Sequence, residues 1–305
     1  MNEREDRGFE SVEEILSRGS GDSMSSSQGR TVRQEELECQ TCHRNFIAEV
    51  ATYTTMLGKQ KELRPKGCPE CTAAREEQEL RESRERLRLE TLKVQERWRL
   101  ECGIPALMLQ KTLDNFEVRS QREAFRVCQK YAQGFPMTGP LFDYPSLLLY
   151  SEVFGCGKTH LACAMANHLI SAWEGDPEHA TCPVRFESGP GLMRRIRATY
   201  NVRPGEWHET EEEIYHELRG VRLLFLDDVG KEKPSDNTRE VYWYIIDQRC
   251  TTGLPVVITS NLPVEGKPSL VDLMGGSTVD RLVGMTKGKI IKLSGESYRQ
   301  LKKQP

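Results

Sequence analysis

The chain has 305 residues, enough for one sizeable α/β domain and a smaller module; at 37% hydrophobic and 29% charged, its core should be concentrated in part of its length. A formal net charge of −3 excludes a protein that is basic throughout, so any nucleic-acid surface has to be local. No apolar run approaches the roughly 18–20 residues that span a bilayer, and "MNEREDRGFESVEE" has no secretory signal's apolar stretch, so a cytoplasmic protein with reduced cysteines is expected.

Residues 1–36 are polar, carry the tract "SRGSGDSMSSSQGR", and are expected to be largely disordered. Within them "FESVEEILS" sets Phe9, Val12, Ile15 and Leu16 at helical spacing, which suits either a transient helix or a short helix that docks in a partner's groove. Residues 37–72 hold "CQTC", with Cys39 and Cys42, and "CPEC", with Cys68 and Cys71, separated by 25 residues. Each pair can grip one tetrahedral ion through a tight knuckle, and four thiolates close the shell of Zn2+. With no open position the site reads as structural, and its expected task is to hold a docking surface. Between the pairs, Phe46, Ile47, Val50, Tyr53, Met56 and Leu57 are too few for a core, so metal binding should supply most of the folding free energy. "CQTCH" also matches the c-type haem attachment motif, but that chemistry needs export and leaves the second pair unexplained.

Residues 73–103 form a linker: Ala73 to Glu101 reads as one charged helix whose acids and bases sit three or four apart. Leu80, Leu87 and Val94 recur every seven residues, but the intervening d positions are polar, so a linker helix is expected rather than a coiled coil. From residue 104 to 305 apolar runs alternate with helical patterns. "SLLLY", "CPVRFE", "VRLLFLD", "PVVITSN" and "KIIKLS" read as strands. Lys158 to Trp173, "GLMRRIRATY", "EEEIYHELRG" and "NTREVYWYIIDQRC" read as helices. Strands with continuous apolar character, separated by helices, argue for a parallel sheet covered on both faces.

The first of these strands runs into a phosphate-binding pattern, "LLLYSEVFGCGKTHLA", Leu147 to Ala162. Gly155, Cys156, Gly157, Lys158, Thr159 and His160 are the expected nucleotide-binding positions. The glycines allow close backbone approach, Lys158 can reach the β- and γ-phosphates, and Thr159 offers a hydroxyl to Mg2+. The strict pattern has a glycine where this chain has Glu152, a carboxylate that repels a triphosphate unless it points outward. "LLFLDD" ends an apolar strand in Asp227, expected to hold Mg2+, and Asp228, expected to polarise the attacking water. Asn261, at the end of "VVITSN", could orient that water, and Arg281 in "STVDRLVG" is a candidate arginine finger. "GLMRRIRATYNVR" puts Arg194, Arg195 and Arg197 on one short helix with Arg203 beyond it. Leu192, Met193 and Ile196 should face the sheet, and Tyr200 could stack on a base, so this stripe is the candidate single-stranded DNA surface.

Taken in order with "DRL" and "GESYR", these stretches resemble the AAA+ proteins of the DnaC-type helicase loaders, whose sister group is the IstB-type transposition helper ATPases. The resemblance runs from about Ile104 to Arg299. It implies an α/β P-loop fold with five parallel strands in the order 5-1-4-3-2 and no helical lid after the last strand. It implies that Lys158 and Thr159 are the Walker A lysine and threonine and that Asp227 and Asp228 are the Walker B acids. Asn261 would be sensor I, and Arg281 the finger that completes a neighbouring subunit's site. The arginine helix matches the loaders' insertion that touches single-stranded DNA. Two departures stand out: the first Walker A glycine is absent, and the segment from Tyr150 to Gly155 is one residue longer than usual.

The expected function is therefore an ATP-dependent replicative-helicase loader with slow turnover. It would use ATP, Mg2+ and Zn2+, would bind a hexameric replicative helicase, single-stranded DNA and further copies of itself, and would be nucleoid-associated when acting. An IstB-type transposition helper shares the core motifs. The third alternative is a zinc-stabilised adaptor with a vestigial nucleotide site, and Glu152 is its support.

Overall fold

The computed structural model describes residues 31–55, 58–118, 121–141, 143–200 and 208–298. The chain divides into two compact units, Met1–Glu85 and Arg86–Pro305.

The first unit contains an antiparallel sheet of β1 (Thr31–Glu38), β2 (Asn45–Thr54) and β3 (Gln60–Leu63), in the order β1-β2-β3. Leu37 pairs with Phe46, and Ala51 with Leu63. Only Val50 and Ala51 among the apolar residues of these strands are buried, and Ile47 is 72% exposed. Across one face Arg33 pairs with Glu62 at 2.9 Å and Arg64 with Glu35 at 3.1 Å. Residues 31–36 were expected to be disordered and instead form most of β1. Cross-strand ion pairs and main-chain pairing hold that strand, and neither leaves an apolar alternation to read. The candidate docking helix around Phe9 and Leu16 lies outside the described residues, as do Met56 and Leu57.

Helix α1 (Pro69–Glu101) starts at the second cysteine knuckle rather than after it. Its last turns are not a solvated linker. Val94, Gln95 and Trp98 are buried in the second unit. Trp98 meets Trp173 edge-on, with ring centroids 4.8 Å apart, and Gln95 donates from Nε2 to the carbonyls of Ser171 at 3.2 Å and Trp173 at 3.0 Å. The first of these is a carbonyl that a helix ending at Ser171 leaves open.

The second unit continues with α2 (Arg122–Gln133), β4 (Leu147–Tyr150), α3 (Lys158–Ser171), β5 (Val184–Ser188), α4 (Gly189–Ala198) and α5 (Glu211–Gly220). After these come β6 (Leu223–Val229), α6 (Asp236–Thr252), β7 (Val256–Ser260), α7 (Leu270–Met274), α8 (Gly276–Thr286) and β8 (Ile290–Lys292). The sheet is parallel, in the order β5-β6-β7-β4-β8. Counted from β4 as first, this is the expected 5-1-4-3-2. Strand residues alternate between two cores. Leu147, Leu149, Leu223, Phe225 and Val257 pack with the end of α1, α2 and α3. Leu148, Leu224, Leu226, Val256 and Ile258 pack with α4 to α8. Burial on both faces is why the strands read as unbroken apolar runs. Among the described residues, no helix is long and apolar enough to cross a membrane.

One charged side chain is built into this core. Arg249 of α6 is fully buried and donates to four main-chain carbonyls: Leu218 (2.7 Å), Val221 (2.9 Å), Arg222 (3.4 Å) and Pro255 (2.6 Å). It ties α6 to the ends of α5 and of the loops entering β6 and β7. Arg249→Met would leave those carbonyls unsatisfied, and a loss of at least about 3 kcal/mol is expected. A thermal melt of the variant should show its midpoint lowered by roughly 6–12 °C.

Candidate functional site

The C-terminal end of β4 opens into the loop 151–157, and α3 begins at Lys158. Gly155 and Gly157 hold φ of 78° and 104°, a left-handed region that side chains disfavour. A Cβ on Gly157 would also lie 2.9 Å from the Phe116 ring. These two turns fold the loop back over the start of the helix, where free amides gather. Lys158 is buried inside the loop. Its Nζ lies 3.4 Å from the carbonyls of Ser151 and Val153 and 3.7 Å from Cys156 Sγ. Burial lowers its pKa, opposed by Cys156, Asp228 and Asp227 nearby. A desolvated ammonium with only long contacts is ready for an anion.

Asp227, on β6, is brought to Thr159. Its Oδ1 accepts from Thr159 Oγ1 at 3.0 Å and from Thr259 Oγ1 at 2.5 Å. Burial raises the pKa of Asp227, and the Thr259 and Thr159 hydroxyls counter it. This hydroxyl–carboxylate pair is an all-oxygen donor set of the kind that suits Mg2+ beside a phosphate. Thr259, which the sequence reading passed over, also accepts from the Asp228 amide at 2.9 Å. It was visible only as a polar residue inside the apolar strand "VVITS". Asp228 adopts φ 54°, and its Oδ2 meets Lys231 Nζ at 2.5 Å. Asn261 donates from Nδ2 to the Ser151 carbonyl at 2.9 Å, bracing the first residue of the loop. Glu152 turns outward: its Oε1 lies 3.2 Å from Lys292 Nζ on β8.

Three expected residues have partners that change their reading. The His160 ring contacts Asn115 Oδ1 at 3.2 Å and meets Phe116 edge-on, with burial lowering its pKa. Its side chain therefore serves the loop's own packing. Arg281 forms an ion pair with Asp247 of α6 in the same chain. Arg195 is not a free phosphate contact. Its guanidinium sits among Glu209, Glu217 and Glu187, with Nε to Glu209 at 2.7 Å, Nη2 to Glu217 at 2.5 Å and Nη1 to Glu187 at 3.2 Å. Hydrogen bonding to Glu209 leads in raising its pKa. Three carboxylates satisfy its charge, so it braces α4 instead of presenting it.

Arg194 and Arg197 remain exposed on that helix, Arg197 donating to its own turn at Met193 O (2.9 Å). Tyr200 is 50% exposed, with its hydroxyl on Asn237 Oδ1 at 2.9 Å. Leu192, Met193 and Ile196 are buried towards the sheet. Arg203 and Arg299 lie outside the described residues.

In the first unit the sulfurs of Cys39, Cys42, Cys68 and Cys71 all lie within 4.8 Å of one another, and none is in a disulfide. Cys42 and Cys68 are 3.7 Å apart, against an edge of about 3.8 Å for a tetrahedron with metal–sulfur bonds of about 2.3 Å. Main-chain N–H groups at Cys42, Cys68 and Thr41 point at the Cys39 sulfur and bring its pKa down to about 5, whereas hydrogen bonding with the Cys68 sulfur pushes Cys71 up to about 12. Four thiols this close oppose one another's ionisation, and a dication removes that opposition. The residues fit Zn2+.

A family model described as "IstB-like ATP binding protein" matches residues 85–305. The replicative helicase loader DnaC of Buchnera aphidicola subsp. Acyrthosiphon pisum is 28% identical over 202 residues, covering 65% of this chain and 73% of that protein. Escherichia coli YdaV, an uncharacterised protein, is 26% identical over 203 residues, covering 67% of this chain and 73% of its own length. Among solved structures, a crystal structure of the DnaC helicase loader aligns with a TM-score of 0.47 at 21% identity, covering 62% of this chain and 98% of that one.

Proposed function

Because the chain belongs to the family of IstB-like ATP-binding proteins, we propose that it is an ATP-dependent loader of a replicative DNA helicase. The observation that carries the nucleotide reading is the meeting of Lys158, Thr159 and Asp227 at the end of β4. The amides from Gly155 to Thr159 and the Lys158 ammonium would hold the phosphates, and Thr159 and Asp227 the Mg2+. Bound MgATP would supply a concentrated charge whose γ-phosphate can be removed, which suits a switch. Asp228 would polarise the attacking water, and its pairing with Lys231 supports slow turnover. Glu152, the support for a vestigial site, pairs away from the loop's interior.

Arg281 would act on a neighbouring copy after leaving Asp247, which makes self-association part of the cycle. The four cysteines would hold Zn2+ structurally and so form a helicase-docking module. Its similarity to replicative helicase loaders favours a loader over a transposition helper. We place its action in the cytoplasm, at the nucleoid.

The test is a pull-down with the full chain as bait, with ATP and with ADP. A hexameric helicase retained in a nucleotide-dependent way supports the loader. A transposase retained in its place, or no helicase with either nucleotide, overturns it.

For single-stranded DNA, the exposure of Arg194, Arg197 and Tyr200 supports them as the contacts among the described residues. Arg194→Ala with Arg197→Ala should reduce the slope of log affinity against log salt by about 1.4, at about 0.7 per lost phosphate contact. Arg195→Ala should lower thermal stability and leave that slope unchanged. Fluorescence anisotropy with an oligonucleotide at several salt concentrations separates the two.

A further inference from the structure

We propose that Lys292 is the counter-charge that lets a glutamate stand where the phosphate loop normally has its first glycine. This rests on the nucleotide reading above. A carboxylate at position 152 repels the triphosphate that the loop should gather, and Coulomb repulsion between unit charges a few ångströms apart is not negligible even in water. The chain does not bury Glu152. It turns the side chain outward and sets an ammonium 3.2 Å from its Oε1.

Three features make Lys292 more than a loose surface lysine. It lies on β8, whose register sets Lys292 directly opposite Tyr150, the last residue before the loop. The Leu293 amide then donates to the Tyr150 carbonyl at 2.8 Å, which fixes the lysine's main chain against the loop's entry. Its Nζ also lies 5.8 Å from the centroid of the Tyr150 ring, a cation–π distance that narrows its rotamers. The loop is held from the other side. The Ser151 carbonyl is bound by Asn261 Nδ2 at 2.9 Å, and the Val153 amide donates to Ser151 Oγ at 3.1 Å. The carbonyls of residues 151 and 153 face Lys158 inside the loop, and the side chain between them leaves on the solvent side. Glycine at 152 is therefore dispensable for the loop's shape, and what remains to be managed is charge.

The experiment measures the Kd of the full chain for a fluorescent ATP analogue with Mg2+, at 50 mM and at 500 mM NaCl. Lys292→Ala should weaken binding about 3–5-fold at the low salt and less than about 2-fold at the high salt, because an exposed pair is screened. Lys292→Arg, which keeps the charge, should bind as the parent does. Glu152→Gly with Lys292→Ala should match Glu152→Gly alone within about 2-fold, since the lysine then has nothing to neutralise.

A Lys292→Ala affinity equal to the parent's at low salt overturns the proposal. So does a double variant that loses as much as Lys292→Ala alone, because the lysine would then be acting on the nucleotide directly. A thermal melt shows whether each variant is folded, and Lys292→Gln replaces Lys292→Ala if that one is not. Equal binding by the parent and by Lys158→Ala would remove the nucleotide reading itself, and the proposal with it. That outcome is distinguishable because it does not involve Lys292 at all.

Discussion

If the four-cysteine module holds Zn2+, as proposed, stripping that ion is expected to unfold residues 31–72 and to leave the second unit folded. The strands there bury only Val50 and Ala51 among their apolar residues, far too little to offset the roughly 1–2 kcal/mol of backbone entropy for each ordered residue. The Arg33–Glu62 and Arg64–Glu35 pairs are solvent-exposed, and such pairs contribute about 1 kcal/mol at most. Four thiolates on one Zn2+ would supply about 10–16 kcal/mol, which would make the ion the main support of this sheet. Cys39→Ser with Cys68→Ser should therefore abolish one equivalent of bound zinc and the dispersed amide signals of β1 to β3. The melting transition of the second unit, with its two apolar cores, should move by less than about 2 °C. A double variant that kept the β1–β3 signals, or a second unit that melted with them, would show that the thiols are not what holds this sheet.

The second unit was legible from the sequence because its strands are buried on both faces: runs such as Leu223 to Leu226 leave little besides a parallel sheet under helices. The pairing of Asp227 with Thr159 was legible from the two motifs themselves, a glycine turn before Lys158 and an acid pair ending an apolar strand, although β7 lies between β4 and β6 in the sheet. Helix α2 was passed over although Ala124, Cys128, Tyr131 and Ala132 line one face, because a cysteine and two alanines make a faint stripe. The sheet of the first unit carries almost no apolar alternation, so its strands gave no period to detect. Side-chain partnerships were the least legible. Nothing local to "MRRIR" distinguishes Arg195 from Arg194. The three glutamates that claim Arg195 come from β5, from α5 and from the residue before its capping Thr210, and only the folded sheet edge brings them together. The outward turn of Glu152 likewise depends on a lysine 140 residues away.

Lys158→Ala and Asp228→Asn are expected to separate nucleotide binding from hydrolysis. Removing Lys158 deletes a desolvated ammonium whose remaining contacts are long. A hydrogen-bonded charge is worth about 1.5–3 kcal/mol, so affinity for ATP should fall about 10–100-fold. Asp228 acts on Lys158 through charge alone, and its amide stays pinned to Thr259 whatever its carboxyl becomes. Asp228→Asn should therefore bind ATP within about 3-fold of the parent. If Asp228 polarises the attacking water, turnover should fall by about 100-fold or more. Titration with a fluorescent analogue gives the first quantity and phosphate release the second. Unchanged turnover in Asp228→Asn would move the general base elsewhere, and unchanged affinity in Lys158→Ala would empty the loop of its role. The lysine also sets a pH signature. Burial lowers its pKa, and an anion binds the protonated form. Affinity should therefore hold at neutral pH and decline as pH rises through a value below the ordinary lysine range, a decline that Lys158→Ala should lack.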